Sequence, residues 1–189
     1  MSTAVATLGT GISNMIYRFD RGTTTVSTYA GTTAGLTAAL AASSSGDEVW
    51  ILAHEIAGDC TIPAGVEVVG MGRRQTILTG QVTIEAGAIL SHLSVNRTDD
   101  SADDLIGVIG TQSGDSWLYN CNVKTEQAGA GLSVALYSSA AGCALHADHC
   151  MLYGDSTGGT AYAGMFLPDD SAIFTRWCRL YGSTDIFND

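Results

Sequence analysis

Three stretches decide the fold: Asn120-Cys121-Asn122-Val123-Lys124-Thr125, His149-Cys150-Met151-Leu152-Tyr153-Gly154 and Trp177-Cys178-Arg179-Leu180-Tyr181-Gly182. A fourth, His92-Leu93-Ser94-Val95-Asn96-Arg97, aligns with them without gaps. Leu93, Cys121, Cys150 and Cys178 then occupy one column, and the interval between neighbours varies by a single position. Val95, Val123, Leu152 and Leu180 form a second apolar column two positions on. Residues i and i+2 of a strand share a face, so both columns are expected to point inward as a core ladder. Near-constant spacing over this length marks a stacked repeat. The predicted fold is all-β, a right-handed parallel β-helix (solenoid). Five to six turns at a rise of about 4.8 Å give a rod roughly 25–30 Å long.

Stacking puts Cys121, Cys150 and Cys178 on adjacent rungs as a thiol ladder. Their Cα atoms then fall within disulfide range, but parallel Cβ vectors make a bridge awkward. The chain has five cysteines, an odd number that excludes complete internal pairing. Small buried hydrophobes are the expected role. Cys-x-x-Cys spacing is absent and no second ligand set converges on these residues, so neither a metal nor a cofactor is predicted.

Upstream, the turn from Gly65 to Gly87 is shorter than these repeats, so the later turns are expected to carry extra loop. Asp47–Leu52 reads as a strand. Before it, Thr32 or Thr33 can cap a short helix with Leu36, Ala39 and Leu40 on one face, ended by Ser43-Ser44-Ser45-Gly46. A helix this short must pack on something, and plugging the open solenoid end is the expected role. Two β-prone runs, Met15–Phe19 and Thr24–Tyr29, flank Asp20-Arg21-Gly22 and suggest a β-hairpin. The organisation predicted is a flexible N-terminal arm over 1–13, a β-hairpin and capping α-helix over 14–45, and a parallel β-helix over 46–189.

Composition agrees with a regular β protein rich in tight turns: 46% hydrophobic residues, 14% charged, 23 glycines and 2 prolines. The formal charge of −11 repels phosphate backbones and anionic lipid, so nucleic acid and membrane are not expected partners. The opening stretch lacks the basic segment and apolar run of a secretory signal, so synthesis and folding in a host cytoplasm are expected.

At the level of whole segments the chain resembles the pectate-lyase-like right-handed parallel β-helix superfamily. GLTAALAASSSGDEVWIL followed by TIPAGVEVVGMGRRQTILTG looks like its opening of capping helix, Gly-Asp strand start and first coil. The rungs ending NCNVKT, HCMLYG and WCRLYG look like its stacked x-Cys rungs. The resemblance covers about residues 33–189 and is specific for fold, since that superfamily holds lyases, hydrolases, esterases, adhesins and phage tailspikes. The combination with an N-terminal hairpin is most similar to short phage virion proteins. The resemblance therefore implies a non-enzymatic fibre, spike or decoration subunit of a virion. It would be a homo-oligomer, with a trimer favoured by analogy, attached to other virion proteins through the arm. The alternatives are a polysaccharide-active enzyme and an adhesin binding a host glycan.

Several residue groups could carry chemistry. Gly182–Phe187 is similar to the segment that supplies a catalytic carboxylate in pectin methylesterases, which singles out Asp185, but the following coil that would bring its arginine is missing. Asp99, Asp100, Asp103 and Asp104 form an acidic loop without the glycine and closing glutamate of a calcium loop. In His146-Ala147-Asp148-His149, strand alternation places His146 and Asp148 on one face and His149 opposite. His92 stands alone, and no Gly-x-Ser-x-Gly elbow is present. No catalytic residue is assigned. Trp117, Tyr119 and Trp177 lead a set of aromatics, with Tyr137, Tyr153, Tyr162, Phe166, Phe174 and Tyr181, expected to meet a neighbouring subunit or a sugar ring.

Overall fold

The computed structural model describes residues 14–99, 103–166, 170–182 and 184–188. The predicted arm, residues 1–13, lies outside the described residues. The chain is a right-handed parallel β-helix with three parallel sheets, each six strands deep. Sheet A stacks Glu48–Ile51, Glu67–Gly70, Ile89–Ser91, Gly114–Tyr119, Cys143–Asp148 and Ala172–Arg176. Sheet B stacks Glu55–Ile56, Ile77–Leu78, Ser94–Asp99, Asn122–Gln127, Met151–Ser156 and Arg179–Tyr181. Sheet C stacks Cys60–Ile62, Val82–Ile84, Leu105–Gly110, Ser133–Ser138, Ala161–Phe166 and Thr184–Asn188.

Along the sheet A column Val49, Val68, Leu90, Leu118, Ala147 and Thr175, the interval lengthens as far as Leu118 and is nearly constant from there. Loops are the expected place for the added residues of the later coils. Strands take up most of them instead: sheet B strands grow from two residues to six and sheet C strands from three to six. A longer strand satisfies each added N–H and C=O within a ladder, which an added loop would have to leave to water.

The core is a set of vertical side-chain columns. In sheet B, Ile56, Leu78, Val95, Val123, Leu152 and Leu180 are paired in unbroken register. The first five are buried and Leu180 is partly buried. Burying a side chain of this kind contributes roughly 1.5–3 kcal/mol. Gly154, in the strand above Thr125, has no room for a side chain, because an added Cβ would meet the carbonyl oxygens of Tyr162 and Ser133.

The column Leu93, Cys121, Cys150 and Cys178 does not lie inside strands, which corrects one expectation. It sits at the two-residue corner between sheets A and B, each member directly preceding a sheet B strand. The corner's first residue adopts left-handed backbone: His92 at φ 57°, Asn120 at 51°, His149 at 54° and Trp177 at 56°. That conformation reverses the chain sharply enough to keep the next side chain pointing inward, at a steric cost of about 1–2 kcal/mol for a residue with a Cβ. Leu93, Cys121 and Cys150 are buried, and Cys178 is partly buried.

The N-terminal end is closed by two devices. The helix Thr33–Ala41 buries Leu36, Ala39 and Leu40, and Thr32 is its cap, accepting a hydrogen bond from the Gly35 amide. The hairpin of Met15–Phe19 and Val26–Ala30 does more than precede the solenoid. Its first strand pairs antiparallel with Glu48–Ile51, so it occupies the hydrogen-bonding edge of sheet A. An unpaired edge would be a template for aggregation. Asp47 fastens these parts together: its buried carboxylate accepts the Arg21 and Ser44 amides, both at 2.9 Å, and lies 3.6 Å from the Arg18 guanidinium. Burial works against its charge, yet the two amides and Arg18 prevail and hold the pKa below the ordinary value.

Candidate functional site

In-register stacking projects one column of side chains outward from sheet A: Glu48, Glu67, Ile89, Trp117, His146 and Phe174. Over the last three coils it becomes a ring stack. Trp117 and His146 have centroids 5.7 Å apart and planes 19° from parallel, and His146 and Phe174 follow at 4.8 Å and 17°. Such offset stacks hold their rings rigidly and add to area burial. Phe174 is 53% exposed, so the top of the stack is open.

The parallel column two positions on is polar: Tyr119, Asp148 and Arg176. The Asp148 carboxylate accepts from Arg176 Nε at 3.1 Å and from a terminal guanidinium nitrogen, and from His149 Nδ1 at 2.7 Å. Arg176 is the main reason that the Asp148 pKa lies below its ordinary value, with His149 assisting. His146 makes a second such pair, its Nε2 lying 2.9 Å from Asp115 Oδ1. The two columns line a shallow hollow together with Ala147 and Thr175, which lie between them on the strands. Strand alternation alone puts His149 on the face opposite Asp148. The left-handed corner overrides alternation and turns the ring back beside the carboxylate. The ring also stacks on Trp177 at 6.4 Å, and Trp177 is 76% exposed.

The hollow is thus a flat aromatic surface beside a paired Arg–Asp group, a combination suited to planar or ring-shaped ligands and to apolar partner surfaces. Its carboxylates are engaged in orienting histidines and an arginine. Of the predicted aromatics, Trp117, Tyr119 and Phe174 converge here and Trp177 lies at the adjoining corner. Tyr153 and Tyr181 meet on sheet B at 5.9 Å with their rings tilted by 52°, and Lys124 lies over Tyr153. Tyr137 lies on sheet C, paired with Ile109, and Tyr162 pairs with Val134 on the same sheet. The side chain of Phe166 and that of Asp185 lie outside what is described.

The signal for the stack is present in the sequence. Trp117, His146 and Phe174 repeat at the same intervals as Cys121, Cys150 and Cys178, and so do Tyr119, Asp148 and Arg176. The thiols themselves each donate to a carbonyl of the coil below: Cys121 to Leu90, Cys150 to Leu118 and Cys178 to Ala147. All five cysteines are free. The Cys121 thiol, together with burial, pushes the Cys150 thiol up to about 12, which keeps it protonated and unreactive.

The acidic loop divides. Asp99 ends a sheet B strand, Asp104 accepts the Leu132 amide at 3.0 Å, Asp103 accepts from Gln127 through its carbonyl, and Asp100 lies outside the described residues. Among the described residues no three His, Cys, Asp or Glu side chains are grouped to hold a metal ion, and no helix is long and apolar enough to cross a membrane. Comparison with protein-family models, curated proteins and solved structures found no match to this chain.

Proposed function

We propose that the protein is a non-enzymatic structural subunit of a phage or phage-like particle: a fibre, spike or decoration protein of pectate-lyase-like type. In this reading it is a homo-oligomer, favoured as a trimer, located in the virion and joined to other virion proteins through residues 1–13. The observation that carries it is the outward Trp117–His146–Phe174 stack, half-buried at Trp117 and His146 and exposed at Phe174, on a rigid rod closed at one end. A rod with a fixed aromatic face is built to present a surface, and exposed aromatic groups of this kind are typical of contact patches.

The parallel ring planes beside Arg176 and Asp148 favour one second reading, an adhesin that stacks a host glycan on sheet A. Light scattering of the full-length protein, with a glycan-binding panel and a polysaccharide-degradation assay, separates these readings. A stable oligomer without turnover supports the structural subunit. Glycan binding lost in Trp117→Ala and Phe174→Ala supports the adhesin. A monomer that depolymerises an acidic polysaccharide overturns both.

A further inference from the structure

The outer face of sheet B is polarised along its strand direction. At the edge next to sheet A lie Asn122, Met151 and Arg179 in register, flanked by the exposed Arg73 and Arg74 of the loop before Ile77–Leu78. With Arg176 around the corner, four of the chain's eight cationic side chains gather at this edge of a molecule whose net charge is −11. Among the described residues, Arg73, Arg74 and Arg179 have no ion-pair partner. Farther along the strands, about 13 Å away, the opposite edge carries Glu126 and Asp155 in register, with Asp99 at the end of the strand below and Asp103 and Asp104 beyond it. Between the edges lie Lys124, Tyr153 and Tyr181, the last 43% exposed. Lys124 pairs with Glu126 at 2.7 Å and the Tyr153 hydroxyl donates to Asp155 at 3.2 Å, which leaves the acidic edge, with Asp155, Asp99, Asp103 and Asp104, net negative. The edges are farther apart than the screening length of about 8 Å at physiological salt, so neither neutralises the other within one chain.

We infer that sheet B is the contact between copies of this chain, with solenoid axes parallel and the basic edge of one copy against the acidic edge of the next. The polarity selects that arrangement. Rotation about an axis parallel to the solenoid reverses the strand direction across the contact and brings positive against negative edge. Rotation about the strand direction would oppose like edges, which is repulsive. The tyrosines in the middle then meet across the contact, as exposed aromatics at interface centres do. Charge fixes the direction of travel around the ring and leaves its order to the tilt of the faces; a trimer places sheet B on the inside and leaves the sheet A stack facing outward. This rests on the homo-oligomer reading above.

The test is charge reversal at each edge and at both, in the full-length protein. Solution mass is followed by light scattering at about 0.15 M salt, and folding is checked by far-UV circular dichroism. Arg73→Glu with Arg74→Glu and Arg179→Glu should give a folded monomer, and so should Glu126→Lys with Asp155→Lys. Combining all five substitutions restores the polarity in reverse and should restore the wild-type mass. That recovery also shows that the monomeric variants had not failed to fold. A monomeric wild type removes the homo-oligomer reading itself. An oligomeric wild type indifferent to all three variants, or one dispersed instead by Trp117→Ala with Phe174→Ala, overturns sheet B as the contact and leaves the oligomer standing.

Discussion

The first two coils and the last four are built on one plan with different materials. Coils one and two are short, with two-residue strands in sheet B, a long loop carrying Arg73 and Arg74 at the A–B corner, and help from the hairpin and helix. From the third coil on, that corner is a two-residue left-handed turn, and through the fifth coil sheets B and C have six-residue strands. The outward column of sheet A changes with them, from Glu48 and Glu67 to Trp117, His146 and Phe174. Where coils are short, stability is supplied from outside the solenoid. Where they are long, backbone ladders supply it, and the outer surface is free to carry rings.

Leu78 and Leu152 occupy the same buried ladder in the two regions, and truncating either should cause the largest loss, about 2–5 kcal/mol. Equal losses in urea unfolding would show one cooperative core. A loss confined to Leu78→Ala, with Leu152→Ala producing a separate early transition, would divide the rod into two folding units.

Asp47→Ala should cost about 2–3 kcal/mol through two lost charge-assisted hydrogen bonds, and should loosen the hairpin turn at Arg21, the ladder to Glu48–Ile51 staying in place. Because the folded pKa is depressed below its ordinary value of 3.8, the wild-type advantage is fully present above that value. It is lost as pH falls through the folded pKa, so wild type and variant should converge in acid. A constant difference down to strongly acidic pH would show that Asp47 acts by shape and not by charge.

Gly154→Ala, which forces a side chain against two carbonyls of the long coils, should destabilise by about 1–3 kcal/mol. An unchanged melting temperature would mean that the later coils yield more readily than their ladders suggest. His92→Gly should act in the opposite sense, stabilising by up to about 1 kcal/mol as left-handed strain is relieved against added backbone entropy. A loss there would assign the His92 side chain a contact of its own.

The smallest effect belongs to the acidic start of the sheet A column. Burial first, and then Glu48, raises the pKa of the half-buried Glu67. Glu48→Gln should stabilise by about 0.2–0.5 kcal/mol at neutral pH, the scale of a facing like-charge pair. Since the Glu67 pKa is raised, the repulsion exists only above it, and the gain should already fade as pH falls toward the ordinary glutamate value of 4.5. A gain persisting in acid would have a different origin.

The recurrence of Leu93, Cys121, Cys150 and Cys178 was enough to specify the parallel β-helix. A solenoid stacks equivalent residues at each turn, so its repeat is written directly in the chain. The helix face of Leu36, Ala39 and Leu40 was equally readable, because its period is local. The same repeat contains the ring stack and the Tyr119–Asp148–Arg176 column, but an outward position looks like any exposed strand residue until the coils are stacked. Other features were decided only in three dimensions. The antiparallel joining of the hairpin to Glu48–Ile51 depends on which edge the folded solenoid leaves unpaired. The pairing of His149 with Asp148 depends on a left-handed turn that no residue type there demands. The placing of Arg73 and Arg74 beside Arg179 depends on a loop lying against coils formed much later in the chain. Periodicity records what repeats along the chain; backbone reversal at a corner and contact between distant loops do not repeat, so packing alone sets them.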